Sequence, residues 1–467
     1  MIKIQDSAPL PGLPFARRDI EQTIPVRFEQ VVSHFSDHVA LTGGGRTWTY
    51  RELNRQVNRI ARAILDSAGA GPGCVAYLLD HSPEMVIATL GVLKAGKTYL
   101  AVHPAMPAAA QLEIMRDVAP QLLLTKAKFE SHALVLTDGS CPVLRLDDIS
   151  ERWSDQNLST VTTPDDASTI FYTSGTTGQS KGVVKSHRAV LHRVWLSAQH
   201  DRITHLDRQS LLTHCSFSAS ESDIFGALLQ GARVCVFDIA SIGLAGFRTW
   251  LDEEKITLLH PPALLFRRFL ATLEGRNLFP SLRLVALAGD VVLLADLEKW
   301  QRHFTKSCAV LHRFSTTETA LLTVARIESG SLPTTGFVPA GHAVADKMLM
   351  LIDEAGRPVS TGETGELVVK SRYLADGYWR RPEETAAVFK PDPEVPGQRI
   401  YRTGDLGRFL ADGSLVLLGR RDHQVKIRGY RLDLREVDSA LLQLDDVREA
   451  ATIGRQEGDF PEESRVP

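Results

Sequence analysis

Apolar residues between positions 49 and 65 fall at Leu53, Val57, Ile60, Ala61 and Ile64, the spacing of one helical face, and Thr49 stands where a capping hydroxyl belongs. A core-facing surface helix is predicted there. Residues 75–79, 83–94 and 99–102 then read as strand, crossover helix and strand. A polar, turn-rich stretch covers 154–166, after which short apolar runs resume at 211–214, 233–237, 257–260 and 282–287. Such alternation predicts a layered α/β fold with largely parallel sheets, in which ligands gather beyond the carboxyl ends of strands. From Gly362 the pattern changes to glycine-punctuated β segments, among them Gly365-Glu-Leu-Val-Val and Ser414-Leu-Val-Leu-Leu-Gly. A separate smaller sheet or barrel is predicted for that part.

Composition narrows the classes of function. With 467 residues, 43% of them hydrophobic and 23% charged, the chain can bury a large core. A net charge of −3 offers no basic footprint for nucleic acid, so small molecules or a protein are the expected partners. The cysteines Cys74, Cys141, Cys215, Cys235 and Cys308 are scattered singly, without the paired spacing of a zinc site, and read as buried free thiols in a reducing compartment. Met1-Ile-Lys-Ile-Gln-Asp is not a secretory leader and no apolar run reaches bilayer length. A cytoplasmic location without membrane contact is expected.

The densest chemistry lies in Phe171-Tyr-Thr-Ser-Gly-Thr-Thr-Gly-Gln-Ser-Lys-Gly-Val-Val-Lys-Ser-His. Between an apolar strand and the next helical segment it places Gly175, Gly178 and Gly182 beside several hydroxyls and Lys181. Glycine lets backbone N–H groups approach phosphate oxygens closely, while hydroxyls and a lysine add donors and positive charge. A triphosphate cradle is the reading. It is not the Walker pattern, since Gln179 and Ser180 separate Gly178 from Lys181. A flexible turn would explain the glycines but not so many donors.

Residues 172–182 resemble the signature loop of the adenylate-forming superfamily, which includes acyl-CoA synthetases, luciferases and the adenylation domains of nonribosomal peptide synthetases. Further blocks carry the same resemblance. Arg313-Phe-Ser-Thr-Thr-Glu-Thr is similar to the family's aromatic-Gly-x-Thr-Glu motif, with Ser315 in place of the usual glycine. Taken alone, Thr-Thr-Glu-Thr reads equally well as a capped helix start. Tyr401-Arg-Thr-Gly-Asp405 and Gly419-Arg-Arg-Asp-His-Gln-Val-Lys-Ile-Arg-Gly-Tyr-Arg match closely, and the likeness runs from about Arg46 to Leu442.

The resemblance implies two α/β sheets and a distorted β-barrel in a large N-terminal domain, residues 1–421, followed by a truncated small α+β domain, residues 422–467. It implies ATP, Mg²⁺ and the phosphopantetheine of a partner carrier as reactants or cofactors. Thr173, Ser174, Gly175, Thr176, Thr177 and Gly178 would hold phosphates together with Lys181. Phe314 would stack on adenine beside Gly289, Asp290 and Ser315. Thr317 would contact the α-phosphate and Glu318 would help bind the metal. Asp405, assisted by Arg420, would accept hydrogen bonds from the ribose, a task suited to an acceptor-only carboxylate. Asp422 would be the hinge about which the small domain rotates.

Two departures shape the substrate reading. Family members normally continue well past the hinge to a Gly-Lys whose lysine contacts the reacting carboxylate, and 422–467 has no counterpart of it. A fragment of a larger assembly enzyme is favoured over a small domain interrupted by another enzyme or a chain of weakened catalysis. Second, His214-Cys-Ser-Phe-Ser-Ala-Ser resembles the peptide-synthetase segment in which an aspartate grips the substrate ammonium, but Ser218 holds that place. A buried ammonium without a carboxylate is costly, so a keto, hydroxy, aryl, fatty or β-amino acid is expected before an ordinary α-amino acid. By motif alignment the acyl pocket comprises Phe217, Ser218, Ala219, Ser222, Leu259, Ala286, Ala288, Arg313, Leu321 and Leu322, mostly apolar with one cation. Arg313 would read a second carboxylate or carbonyl, or, the favoured choice, pair internally, with Asp223 a candidate partner. His214 is either a gate over the acyl site or a satisfied polar side chain at a strand end. Carrier-protein loading is favoured over CoA as acceptor. A catalytically silent nucleotide-binding module is the rival from another class.

Overall fold

The computed structural model describes residues 13–421 except 150, 160, 174–179, 277 and 334–337; beyond 421 it describes the backbones of two strands, Gln424–Ile427 and Tyr430–Asp433, and a few single positions. Asp422 and the loop residues Ser174, Gly175, Thr176, Thr177 and Gly178 lie outside the described residues.

Two large sheets form the body. One runs Gly377–Tyr378, Lys181–Ser186, Ala167–Thr173, Thr98–Val102, Cys74–Leu78, Leu122–Thr125, Val143–Arg145, and is parallel from Ala167–Thr173 onward. The predicted strand, helix and strand are there: Cys74–Leu78 pairs in parallel with Thr98–Val102 across the helix Pro83–Lys94. The other sheet has a parallel centre, Ala309–Thr316, Leu284–Leu287, Leu258–Leu259, Arg208–Leu211, Arg233–Val236 and Val39–Gly43, with antiparallel strands at both edges. The run 211–214 is only the end of a strand, and Thr213 and His214 have already left the sheet.

The helix Tyr50–Ala68 begins at Thr49, whose Oγ1 accepts from the Glu52 amide at 3.2 Å while the Glu52 carboxylate takes the Thr49 amide at 2.8 Å. This reciprocal cap satisfies two donors that a helix start leaves open. The same helix buries Leu53, Val57, Ile60, Ala61 and Ile64, the predicted face. Pro83–Lys94 behaves differently: all of it except Glu84 is buried, because it touches strands of both large sheets. A helix between two sheets has no wet side and so needs no polar stripe. It also presses against Tyr50–Ala68 so closely that a Cβ on Gly91 would meet Ile60 Cγ2 at 2.5 Å.

The third sheet, wholly antiparallel, is the predicted smaller β module, though it begins before Gly362. Met348–Ile352 pairs with Thr364–Ser371, which pairs with the long strand Arg399–Phe409; the far edge of that strand takes Phe389–Pro391 along its first part and Leu415–Arg420 along its last. Register shifts in Arg399–Phe409 bend it in the manner of bulged barrel strands. The five cysteines are buried free thiols. No helix among the described residues is long and apolar enough to cross a membrane.

Candidate functional site

All three sheets meet at one cavity of about 710 Å³, the size range of small-ligand sites. Parallel strands point their carboxyl ends into it, as the topology rule expects: Leu212–Ser218 follows Arg208–Leu211, His260 follows Leu258–Leu259, and Ala288 and Gly289 follow Leu284–Leu287.

The glycine-rich loop joins two antiparallel strands, Ala167–Thr173 and Lys181–Ser186, in a register that sets Thr173 opposite Lys181. A strand, not a helix, follows the loop, and the helix His187–Asp201 comes only after it. Thr173 and Ser180, the described ends of the loop, line the cavity. Lys181 does not: its Nζ reaches 2.6 Å from Glu384 Oε2 and lies over the Tyr378 ring. The short strand Gly377–Tyr378 pairs with Lys181–Ser186, and this brings Glu384 of the following helix within reach.

Thr-Thr-Glu-Thr is a hairpin turn and not a helix start. Thr316 pairs with Ala320 across Thr317, Glu318 and Thr319, and Thr316 Oγ1 accepts from the Thr319 amide at 3.2 Å. Ala320 takes a left-handed φ of 57°, a conformation that closes a tight turn at some cost for a residue with a Cβ. Ser315, Thr317 and Glu318 line the cavity. The Glu318 carbonyl accepts from the Ala375 amide at 2.8 Å, which ties the turn to the segment joining Thr364–Ser371 to Gly377–Tyr378.

Asp405 and Arg420 are cross-strand neighbours. Arg420 NH1 donates to Asp405 Oδ1 at 2.9 Å, and Asp405 Oδ2 is buried without a partner among the described residues. Both side chains line the same cavity as Glu318 and Ser180. A buried acceptor is expensive to leave unpaired, so this oxygen is fitted to a donor brought by a ligand. Phe314, expected over adenine, packs instead among Val183, Leu322 and Leu367 in the core of the third sheet. Gly289 lines the cavity and Asp290 does not.

The acyl pocket is brought together in large part. Phe217, Ser218, Ala219, Ser222, Ala286, Ala288, Arg313 and Leu321 line the cavity, and Ser218 Oγ is 3.3 Å from Thr317 Oγ1. Leu259 and Leu322 are fully buried elsewhere in the apolar core, because alternate residues of a strand face opposite sides.

The pocket is also more polar than a single cation would make it. Arg193, Asp223 and His260 line it beside Arg313. Arg313 donates to Asp201, so it is internally paired, but not with Asp223. Asp223 Oδ1 is 2.8 Å from His260 Nδ1. Burial drives the Asp223 carboxyl well above the usual carboxylate range against the pull of Arg313 and Arg193. Burial, aided by the same two arginines, drives His260 well below the usual imidazole range. Both directions favour a neutral acid–imidazole pair. Lys185 Nζ pairs with Glu221 at 2.7 Å alongside. Arg193, Ser197 and Asp201 recur every fourth residue on one helix. That polar stripe, visible in the chain, was the signal for a face turned toward charge.

His214 is a satisfied polar side chain just beyond a strand end. It lines the cavity, while Nε2 hydrogen-bonds to the Leu79 carbonyl at 2.9 Å and Nδ1 accepts from the Ser216 amide at 3.1 Å. Burial, with His103 next to it, holds it down to about 3.

The sequence model of the AMP-binding enzymes matches residues 28–379. Tyrocidine synthase 2 of Brevibacillus parabrevis is 36% identical over 94% of this chain and 12% of its own length; tyrocidine synthase 1 of the same organism is 33% identical over 92% of this chain and 39% of its own. The chain thus spans only a minor part of these relatives. Among solved structures, FmoA3, a nonribosomal peptide synthetase with α-methyl-L-serine-AMP bound, superposes with a TM-score of 0.78 at 28% identity, covering 89% of this chain and 46% of that one. PA1221, a synthetase protein containing adenylation and PCP domains, reaches 0.83 at 24% identity over 95% and 88%, a likeness of fold. The chain belongs to the AMP-binding enzymes, as an adenylate-forming ligase built like the adenylation domains of nonribosomal peptide synthetases.

Proposed function

We propose that the chain uses ATP to activate a carboxylic acid as its acyl adenylate. The carboxylate oxygen attacks the α-phosphorus, a P–O bond forms, and the bond to pyrophosphate breaks. The acyl adenylate then passes to a thiol, whose sulfur bonds to the acyl carbon as AMP leaves. The observation that carries this is the union, around one cavity, of the Thr317-Glu318 turn, the Asp405–Arg420 pair, the ends of the glycine-rich loop and an acyl pocket that opens at Ser218.

Each group has a task that its chemistry suits. Asp405 Oδ2 accepts a ribose hydroxyl while Arg420 keeps the carboxylate oriented. Thr317 and Ser180 donate to phosphate oxygens. Lys181 adds charge once it leaves Glu384, and the residues from Thr173 to Gly178 complete the cradle. Glu318 suits Mg²⁺, since one carboxylate plus substrate phosphates is how this ion is commonly held; bound, it would neutralise phosphate charge. His214, held neutral, shapes the entrance to the acyl site. The protein's part is positioning and charge neutralisation.

Residues 1–421 form the catalytic core in this reading and 422–467 the start of a small domain that pivots at Asp422. The pantetheine arm of a carrier protein is the thiol of choice, because the relatives are multi-part peptide synthetases and Gln424-Val-Lys-Ile-Arg-Gly-Tyr-Arg has their wording. With Ser218 where a carboxylate would grip an ammonium, ordinary α-amino acids are disfavoured. Acid-dependent exchange of pyrophosphate into ATP tests the reading. Exchange with at least one acid, lost in Lys181→Ala, is expected; nucleotide binding without exchange for any acid would leave a silent module.

A further inference from the structure

Among the described residues, most of the charged side chains under the acyl pocket pair off. Arg313 holds Asp201, Lys185 holds Glu221, and Asp223 Oδ1 lies 2.8 Å from His260 Nδ1. Arg193 is 7% exposed and lines the cavity. Its Nε donates to Ser222 Oγ at 2.5 Å, its one hydrogen bond among the described residues. Glu221, Asp223 and Asp201 attract it from a distance, but none forms an ion pair with it among the described residues. A buried guanidinium whose terminal N–H groups have no partner among the described residues carries a large desolvation cost, and its planar fork fits a carboxylate in two-point fashion.

We infer that Arg193 recognises a second carboxylate on the substrate, and that the acid activated is a short aliphatic dicarboxylic acid. This rests on the adenylation reading above and names the substrate class of the same site. The length follows from the geometry. The activated end lies by Ser218, 3.3 Å from Thr317, in the turn just before the helix Ser220–Leu228, and Arg193 is anchored at Ser222 in the first turn of that helix, a separation on the order of one helical pitch, roughly 5 Å. That span suits glutaric or adipic acid. Charge favours an anion too. Arg313 faces Asp201, Lys185 faces Glu221 and Asp223 faces His260, so among the described residues no carboxylate forms an ion pair with Arg193. Ser197 and Ser222, both lining the cavity, can donate to the same guest.

The test compares glutaric, adipic, valeric and 5-aminovaleric acids and leucine in acid-dependent pyrophosphate exchange, with calorimetric binding of each acid in the presence of ATP. A dicarboxylic acid is expected to exceed valeric acid by about a hundredfold in kcat/KM, because a site built for a polar group rejects the analogue that lacks it. Arg193→Met should erase that preference. The wild-type ranking stands even where the variant folds poorly. If valeric acid, leucine or the ω-amino acid wins, the inference falls while adenylation survives; the ω-amino acid would point to Asp223 as the reader. If no acid supports exchange yet a dicarboxylic acid binds to wild type and not to Arg193→Met, recognition of a dicarboxylic acid by Arg193 stands while its activation, and with it the adenylation reading, fails. If there is neither exchange nor binding, both fall.

Discussion

Lys181 Nζ lies 2.6 Å from Glu384 Oε2, so the lysine of the glycine-rich loop is held by a carboxylate from beyond the short strand Gly377–Tyr378. Phosphate oxygens would compete for the same ammonium. An ion pair of this partly exposed kind is worth up to about 1 kcal/mol. Glu384→Gln should therefore lower the KM for ATP by about threefold, and Lys181→Ala should reduce exchange at least about tenfold. Initial rates against ATP concentration measure both. A KM unchanged in Glu384→Gln would show that the pair does not oppose nucleotide binding.

Asp405 presents one oxygen to Arg420 and keeps the other buried without a partner among the described residues. Asp405→Asn replaces an acceptor by a donor there. It should raise the KM for ATP by about ten- to a hundredfold, with a smaller effect on kcat. Retention of ATP affinity in the variant would separate this carboxylate from the nucleotide.

The Arg313–Asp201 pair is buried on both sides. Removing one member strands a charge in the interior, and Asp201→Asn should cost about 3 kcal/mol. The double variant Asp201→Leu with Arg313→Met should recover most of it, since apolar replacements of similar volume often match a buried ion pair. Urea unfolding midpoints report both. A double variant no more stable than the single one would mean that other charges of the cluster depend on the pair.

Four buried histidines link stability to pH. Burial lowers His187, His192 and His312 to about 4 and His214 to about 3, from an ordinary 6.5. Each takes up protons more readily unfolded than folded, so its contribution is complete above 6.5 and is lost as pH falls toward 4. At pH 5 each costs on the order of 2 kcal/mol. The urea midpoint should fall steadily between pH 7 and pH 5, and replacing His187 by Gln should flatten part of that slope. A midpoint constant over this range would contradict the burial of these rings as neutral groups.

What the chain determined by itself was local. The capped helix after Thr49, the strand–helix–strand unit between Cys74 and Val102 and the order of the motif blocks depend on neighbours a few residues apart, where period and capping chemistry decide. The joining of the blocks into one cavity was implied only through resemblance. Which way a side chain turns was decided by the tertiary structure. Phe314 goes into the third-sheet core, Leu259 and Leu322 to the buried sides of their strands, Lys181 to Glu384 and Arg313 to Asp201. Arg193 became a candidate reader of substrate only once Asp201 and Asp223 had found other partners. Buried charges settle their pairing across more than a hundred residues of chain, as in Arg313 and Asp201, and a desolvated charge takes whichever opposite charge the packing brings near. Periodicity along the chain carries no record of that choice.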